Sequence, residues 1–399
     1  MYDFDHVIDR RGTGSRKWDI AAERGYPADV LPMWVADMDF EVLPEISQAL
    51  RDRVMDHRIY GYSAPVEGQH ASVCDWMARR HGWRPHEEWI VNTPGVVAAV
   101  KMAIQCFTEP GDAVIIHEPL YYPFRRGITD NGRRLVGSPL RRVGTHYEID
   151  FEGFERKITE NDVKLFILCS PHNPVGKVYT AGELRRLGQI CAAHGVLVVC
   201  DEIHGDFVYG GRRFVPYLSV CPENEADTIL CTGASKTFNL AGLKFSNIFI
   251  PDAEKRERFV RQLDRCGIAA SNALGGIAAK AAYENGDRWV DELLGYLEGN
   301  IAFFRSYLAE KLPELTVMDP EGLYLIWVDV NSWGLSDEEL THFMIYEAKV
   351  WLDEGYLFGE HGRGYERFNL ACPRSVVKEC IDRIADAARR RGLTGGMGK

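Results

Sequence analysis

Short runs of branched apolar residues alternate along the chain with longer stretches in which apolar positions recur every three or four residues. Residues 113–116, 165–169, 196–200, 229–232 and 247–250 are almost wholly apolar, which predicts strands buried on both faces. Between two of them, residues 181–194 have helical spacing and stop at Gly195. Strand and helix in alternation predict the α/β class, a mainly parallel sheet wrapped by helices. From about Asp287 the pattern changes. Residues 288–312 predict a long helix ending before Pro313. Residues 323–330, 337–349 and 367–370 then suggest mixed strand and helix, and 375–390 reads as a closing helix. These make a smaller α+β unit. The first 45 residues have little periodicity, and the Gly-rich stretch 392–399 predicts a disordered tail. No internal repeat is evident.

Composition narrows the function classes. The 399 residues are 46% hydrophobic and 26% charged, ordinary for a folded chain that builds two domains or one large one. Net charge is −11 and no basic stripe interleaved with aromatics occurs, which argues against nucleic acid as a partner. The one basic cluster, Arg389-Arg390-Arg391, reads as a solvated helix end. No apolar run reaches the length of a membrane span, and residues 1–20 lack the apolar core of a signal peptide. The ten cysteines are scattered without a Cys-x-x-Cys pair, and Cys169, Cys200 and Cys231 sit within apolar strands. Reduced, packed thiols of this kind imply a cytoplasmic protein with no metal site.

Three polar residues stand at the ends of these strands. Lys236 follows the strand at 229–232, within Gly233-Ala234-Ser235-Lys236-Thr237. An amine held there suits imine formation with an aldehyde, though lysines beside such turns are commonly just solvated. Asp201 ends the strand at 196–200. A carboxylate there needs a positive partner, such as a protonated pyridine nitrogen, or else caps a turn. Asn173, in Ser170-Pro171-His172-Asn173-Pro174-Val175-Gly176, follows the strand at 165–169, where it forms a turn or offers its amide to a phenolate oxygen. In open α/β sheets ligands bind beyond the carboxyl ends of the strands, and all three groups arrive at that edge. The set matches what pyridoxal phosphate (PLP) needs.

With these residues in place, the chain resembles the fold-type I PLP enzymes, the aspartate aminotransferase superfamily, over nearly its whole length. The fold implied has a large domain, with a mainly parallel seven-stranded sheet between helices, and a smaller α+β domain. Its parts would be an N-terminal segment (1–45) packed on the small domain, a large PLP-binding domain (46–286) and a C-terminal small domain (287–399). The resemblance implies a role for each of several residues. Asn92-Thr93-Pro94-Gly95-Val96-Val97 looks like the phosphate-binding turn, with Gly95, Val96 and Val97 at the helix start. Ser235 and Lys244 would also touch phosphate. Tyr121 would stack on the ring, with Tyr122 the alternative. Tyr62 would reach the phosphate of a neighbouring subunit, which implies a homodimer with shared sites. Arg367, in Arg367-Phe368-Asn369-Leu370-Ala371, would fork onto the substrate carboxylate, helped by Asn173, Tyr121 and Trp34.

Within that superfamily, Asp201-Glu202-Ile203-His204 resembles the MalY/PatB-type cystathionine β-lyases, as do Asp9-Arg10-Arg11-Gly12-Thr13, Lys17-Trp18-Asp19, the stretch from Leu31 to Phe40, and Ala371-Cys372-Pro373-Arg374. His204 stands where aminotransferases usually carry tyrosine, near the ring oxygen or as a structural histidine. Gly205 departs from the small side chain more usual there and would loosen the loop. The activity implied is elimination of a thiol from the β-carbon of L-cystathionine or a related cysteine S-conjugate. Lys236 would act as base, with Asp201 and Tyr121 beside it. An aminotransferase on the same scaffold would use the same Lys236, Asp201, Asn173 and Arg367. A non-catalytic binding protein on this fold would be expected to have lost one of them.

Overall fold

The computed structural model describes residues 2–268 and 272–394. Seven strands form the main sheet: β1 (Ile90–Thr93), β2 (Ala113–Glu118), β3 (Arg134–Pro139), β4 (Val163–Cys169), β5 (Leu197–Asp201), β6 (Thr228–Thr232) and β7 (Ser246–Phe249). Their order is β1-β7-β6-β5-β4-β2-β3. Only β7 is reversed; it runs antiparallel to both β1 and β6, while the other pairs are parallel. The uninterrupted apolar runs are explained by layering. Phe166, Leu168, Val198 and Cys200 face one core, while Leu165, Ile167, Leu197 and Val199 of the same strands face another. Period-two alternation therefore buries every position when helices cover both faces.

A second, antiparallel sheet follows: β8 (Thr316–Val317), β9 (Leu325–Asp329), β10 (Asp353–Glu354) and β11 (Tyr365–Asn369), in the order β8-β9-β11-β10. The helices Asp287–Lys311 and Arg374–Arg391 share its core through Phe304, Leu308, Phe368, Val377 and Ile381. The aperiodic N-terminal segment runs across this unit. Leu31 and Pro32 pair in parallel with Val350 and Trp351. Asn369 N donates to Met33 O at 2.9 Å, and Asp39 N donates to Ala371 O at 2.9 Å.

The expected strands and helices stand within a few residues of their places, with some differences. Residues 337–349 were expected only as part of the α+β unit; there the α-helix Asp337–His342 gives way to a π turn, Phe343–Glu347. The wider turn lets three successive residues, Phe343, Met344 and Ile345, all be buried. The edge strands β1 and β3 were not expected; Asn92 and Thr93 in one, and Arg134, Gly137 and Pro139 in the other, break the apolar signal. Arg391 of the basic cluster is not simply solvated, since it pairs with Glu347. Gly392 caps the last helix, and the remainder of the expected tail from 395 lies outside the described residues. All ten cysteines are free, and Cys266 alone is exposed. Among the described residues no helix is long and apolar enough to cross a membrane.

Candidate active site

A cleft of about 190 Å³ opens at the carboxyl edge of the main sheet. Asn173 lies just past β4, Asp201 ends β5, and Lys236 sits on the short helix Ala234–Thr237 just past β6. Tyr121 follows β2 and lines the same cleft, whereas Tyr122 lines a neighbouring pocket. Gly95, Val96 and Val97 come from the turn after β1. Because β7 is reversed, its starting end lies at this edge, and Lys244 enters the cleft from there, with Ser235 and His204 completing the wall.

The phosphate-type end has a plain physical basis. Gly95 caps the helix Val96–Phe107 with φ of 115°, a conformation that favours glycine. The N–H groups of the first turn have no partner within their helix, and the dipole favours an anion there. Ser235 and Lys244 add a hydroxyl and a cation.

The other end is held under electrostatic tension. Burial pulls the Lys236 ammonium down to about 8, with Asp37 opposing and Arg367 assisting. Lys236 Nζ donates to Ala36 O at 2.7 Å. Asp201 is 4% exposed, and burial pushes its carboxyl up to about 7. Its side chain accepts from Ile203 N at 3.1 Å, and among the described residues it has no ion-pair partner. His204 is buried, edge-on to Tyr324 at 5.8 Å; burial, Lys236 and Arg367 hold it well below the usual imidazole range. Its Nδ1 has no partner among the described residues. A buried carboxyl without a cation and an orphaned imidazole nitrogen fit PLP, whose ring brings a cationic nitrogen and an oxygen acceptor. Gly205 does not loosen the loop: a Cβ there would lie 2.9 Å from the Phe214 ring, so this turn is packed tightly by lacking one.

Three of the candidate residues do not line the cleft. Arg367 on β11 is 2% exposed; its Nη1 donates to Asn173 Oδ1 at 3.0 Å, and its Nη2 donates to Trp34 O at 3.0 Å and pairs with Asp353. Trp34 is buried, stacked on Trp351 at 4.2 Å, and lines the neighbouring pocket. Tyr62 is fully exposed, with no part of its own chain over it.

The N-terminal segment contributes more than the sequence indicated. The five successive carbonyls from Trp34 to Met38 each accept from a side chain: Arg367, Asn369, Lys236 with Tyr324, Asn369 again, and Asn239 with Arg10. Beneath it Lys17 is fully buried, its Nζ 2.6 Å from Asp39 Oδ2 and 3.9 Å from Asp37 Oδ1. Arg10 bridges Asp37 and Asp39 at 2.8 and 2.7 Å. Several charges in a stretch without periodicity were the available signal, since such a stretch has no helix or strand ladder to satisfy its backbone.

The family model for aminotransferase class I and II matches residues 28–384. The chain belongs to this family. Cystathionine beta-lyase PatB of Bacillus subtilis (strain 168) is 43% identical, covering 96% of this chain and 99% of that protein. Protein MalY of Escherichia coli (strain K12) is 34% identical, covering 98% and 99%. Among solved structures, cystalysin from Treponema denticola, which contains a pyridoxal 5'-phosphate cofactor, superposes with a TM-score of 0.94 at 35% identity, covering 98% of this chain and all of that one. Class I and II aminotransferases thus include this chain in a group whose members carry lyase names, in agreement with the motifs around His204 and the N-terminal segment.

Proposed function

We propose that this protein is a PLP-dependent C–S β-lyase that cleaves L-cystathionine or a related L-cysteine S-conjugate to a thiol, pyruvate and ammonia. One observation carries the reading: a lysine with a depressed pKa shares a single cleft with Asp201, Asn173, His204 and a helix N-terminus, in a chain 43% identical to a cystathionine beta-lyase. When bound, PLP supplies an electron sink that stabilises negative charge at the substrate α-carbon. Asp201 would hold the ring nitrogen protonated. Ser235, Lys244 and the amides of Val96 and Val97 would hold the phosphate. Tyr121 would flank the ring, and Asn173 and His204 would face its oxygen side. Arg367, oriented by Asn173, would receive the substrate carboxylate. Lys236, brought into range by burial, would take the α-proton as a neutral amine and return it to the product. The C–S bond then breaks with its electron pair leaving on sulfur, and water completes the balance to pyruvate and ammonium.

The assembly belongs to the same proposal. Ile59, Tyr60 and Tyr62 form an exposed apolar stretch, which supports a homodimer in which Tyr62 reaches the partner's cleft. The reduced thiols support a cytoplasmic setting. The division at 45/46 and 286/287 is supported by the two separate sheets and the N-terminal pairing with Val350 and Trp351.

The test is pyruvate release from L-cystathionine with no keto acid added, run beside an amino-transfer assay. Pyruvate release that is lost in Lys236→Ala, together with the visible absorbance of the bound cofactor, is the expected result. Amino transfer without pyruvate would replace this reading by the aminotransferase one.

A further inference from the structure

Beside the cleft lies a second pocket, of about 420 Å³, with an unusual charge pattern. Four arginines line it: Arg16 and Arg24 from the N-terminal segment, Arg125 and Arg126 from the helix Tyr122–Thr129. Arg125 is neutralised by Glu118. Arg24 lies over the rings of Trp34 and Trp351, at 5.7 and 5.3 Å. Among the described residues no carboxylate lies within ion-pair distance of Arg16, Arg24 or Arg126. The pocket's acidic wall offsets them only in part, because Asp353 is committed to Arg367 and burial pushes Glu354 up to about 7 against the pull of Arg24. Three exposed guanidinium groups, Arg16, Arg24 and Arg126, thus line one concavity without an ion-pair partner among the described residues, in a chain whose net charge is −11. Cations that line one concavity give it a positive local potential, which favours an anion there.

This pocket shares a wall with the cleft. Tyr122 lines the pocket and Tyr121 lines the cleft, with ring centroids 5.4 Å apart. Trp34 and Asp353 line the pocket, and both contact Arg367, which in turn donates to Asn173 in the cleft. A substrate with its α-carboxylate at Arg367 would therefore lie against the wall that the cleft and this pocket share. We propose that this pocket is a subsite for the leaving-group half of the substrate, and that Arg16 and Arg126 select S-conjugates whose leaving thiol carries a carboxylate. The proposal rests on the lyase reading and sharpens it to a substrate class.

Three conjugates of similar length test it on the holoenzyme: S-(2-carboxyethyl)-, S-propyl- and S-(2-aminoethyl)-L-cysteine. Wild-type protein and the Arg16→Ala/Arg126→Ala variant are compared by pyruvate release. Each variant-to-wild-type ratio cancels the intrinsic reactivity of the thiol. For the carboxyethyl conjugate we expect kcat/KM to fall about tenfold or more, mainly through KM, and for the propyl conjugate to stay within about twofold. The aminoethyl conjugate should improve. Continued turnover of the propyl conjugate shows that the variant is folded. Equal losses on all three, or an unchanged carboxyethyl rate, overturn the subsite and leave the lyase reading standing. A wild-type protein inactive on all three overturns both.

Discussion

Lys17 and Lys236 are driven in opposite directions by their environments. Lys17 lies in the N-terminal segment, fully buried; burial alone would lower its pKa, but Asp39 and Asp37 outweigh that and raise it. Lys236 lies in the cleft, where burial outweighs Asp37 and Asp201 and brings it down to about 8. The carboxylates divide in the same way. Asp39 is held low by Lys17, Trp18 and Arg10 against its own burial, while Asp201 rises to about 7. A buried charge with its counter-charge in contact is architecture. A buried charge whose counter-charge is distant is held ready for something that arrives from outside.

The largest effect that would break this contrast lies in the N-terminal segment. Lys17→Met leaves Asp39 and Asp37 with Arg10 alone, and breaking a buried pair from one side costs about 3 kcal/mol or more. The denaturation midpoint should fall accordingly. A variant as stable as wild type would show that the ionic cluster contributes nothing net. In the cleft the signs should invert. In protein stripped of cofactor Asp201→Asn removes a carboxyl with no cation in contact, so there its midpoint at pH 8 should stay level or rise. Pyruvate release should nonetheless fall on the order of a hundredfold, the scale of losing one preorganised electrostatic group at a reacting centre. Loss of stability with activity intact would reverse the assignment of Asp201.

How much of this was legible in the sequence follows the same division. Asp201, Asn173 and Lys236 could be placed because each ends a strand that reads as fully apolar, so the sheet itself carries them to one edge. Tyr121 could be preferred over Tyr122 only by resemblance, since nothing local distinguishes the two rings. The N-terminal segment was opaque. Its carbonyls from Trp34 to Met38 are satisfied by side chains more than a hundred positions away, such as Arg367 and Asn369, apart from Arg10. No local period records a bond of that range. The edge strands β1 and β3 escaped because each is covered less completely than β5, and polar residues interrupt them.

The two lysines also predict opposite responses to pH in protein stripped of cofactor. Lys236 has a folded value of about 8 against 10.5 for a free lysine, so folding releases a proton between those limits. Its contribution to stability therefore improves as pH rises from about 8 to 10.5. Lys17 has a folded value above 10.5, so its stabilisation is complete below that value and is lost as pH rises beyond it. Asp201 acts in a lower window: with a folded value of about 7 against 3.8, its contribution falls as pH rises from about 4 to 7. Denaturation midpoints measured across pH for Lys236→Met, Asp201→Asn and wild type separate these windows. A Lys236→Met curve parallel to wild type above pH 8 would remove the claim that this amine is depressed.

The smallest effect concerns a carboxyl that lacks a counter-charge outside the cleft. Glu366 on β11 is fully buried, neither of its oxygens has a partner among the described residues, and yet it does not line the cleft. It stands directly across the strand pair from Glu354, also buried. Burial, reinforced by Glu354 and Asp353, raises Glu366 well above the ordinary carboxylate range. That direction favours the neutral acid in the fold, and a neutral acid needs no counter-charge. Glu366→Gln keeps the shape and removes the proton, so at pH 5 its stability should lie within about 0.5 kcal/mol of wild type. The sign of the remaining effect is set by linkage. Wild type must hold a proton on folding at pH above about 4.5, so it loses stability as pH climbs from there towards the raised folded value, and the glutamine variant does not. The variant should therefore gain on wild type as pH rises above about 4.5 towards the raised folded value of Glu366. If instead the difference stays constant with pH, Glu366 is ionised in the fold, and an unpaired buried charge would then exist outside the cleft, which would end its use as a marker of chemistry in this protein.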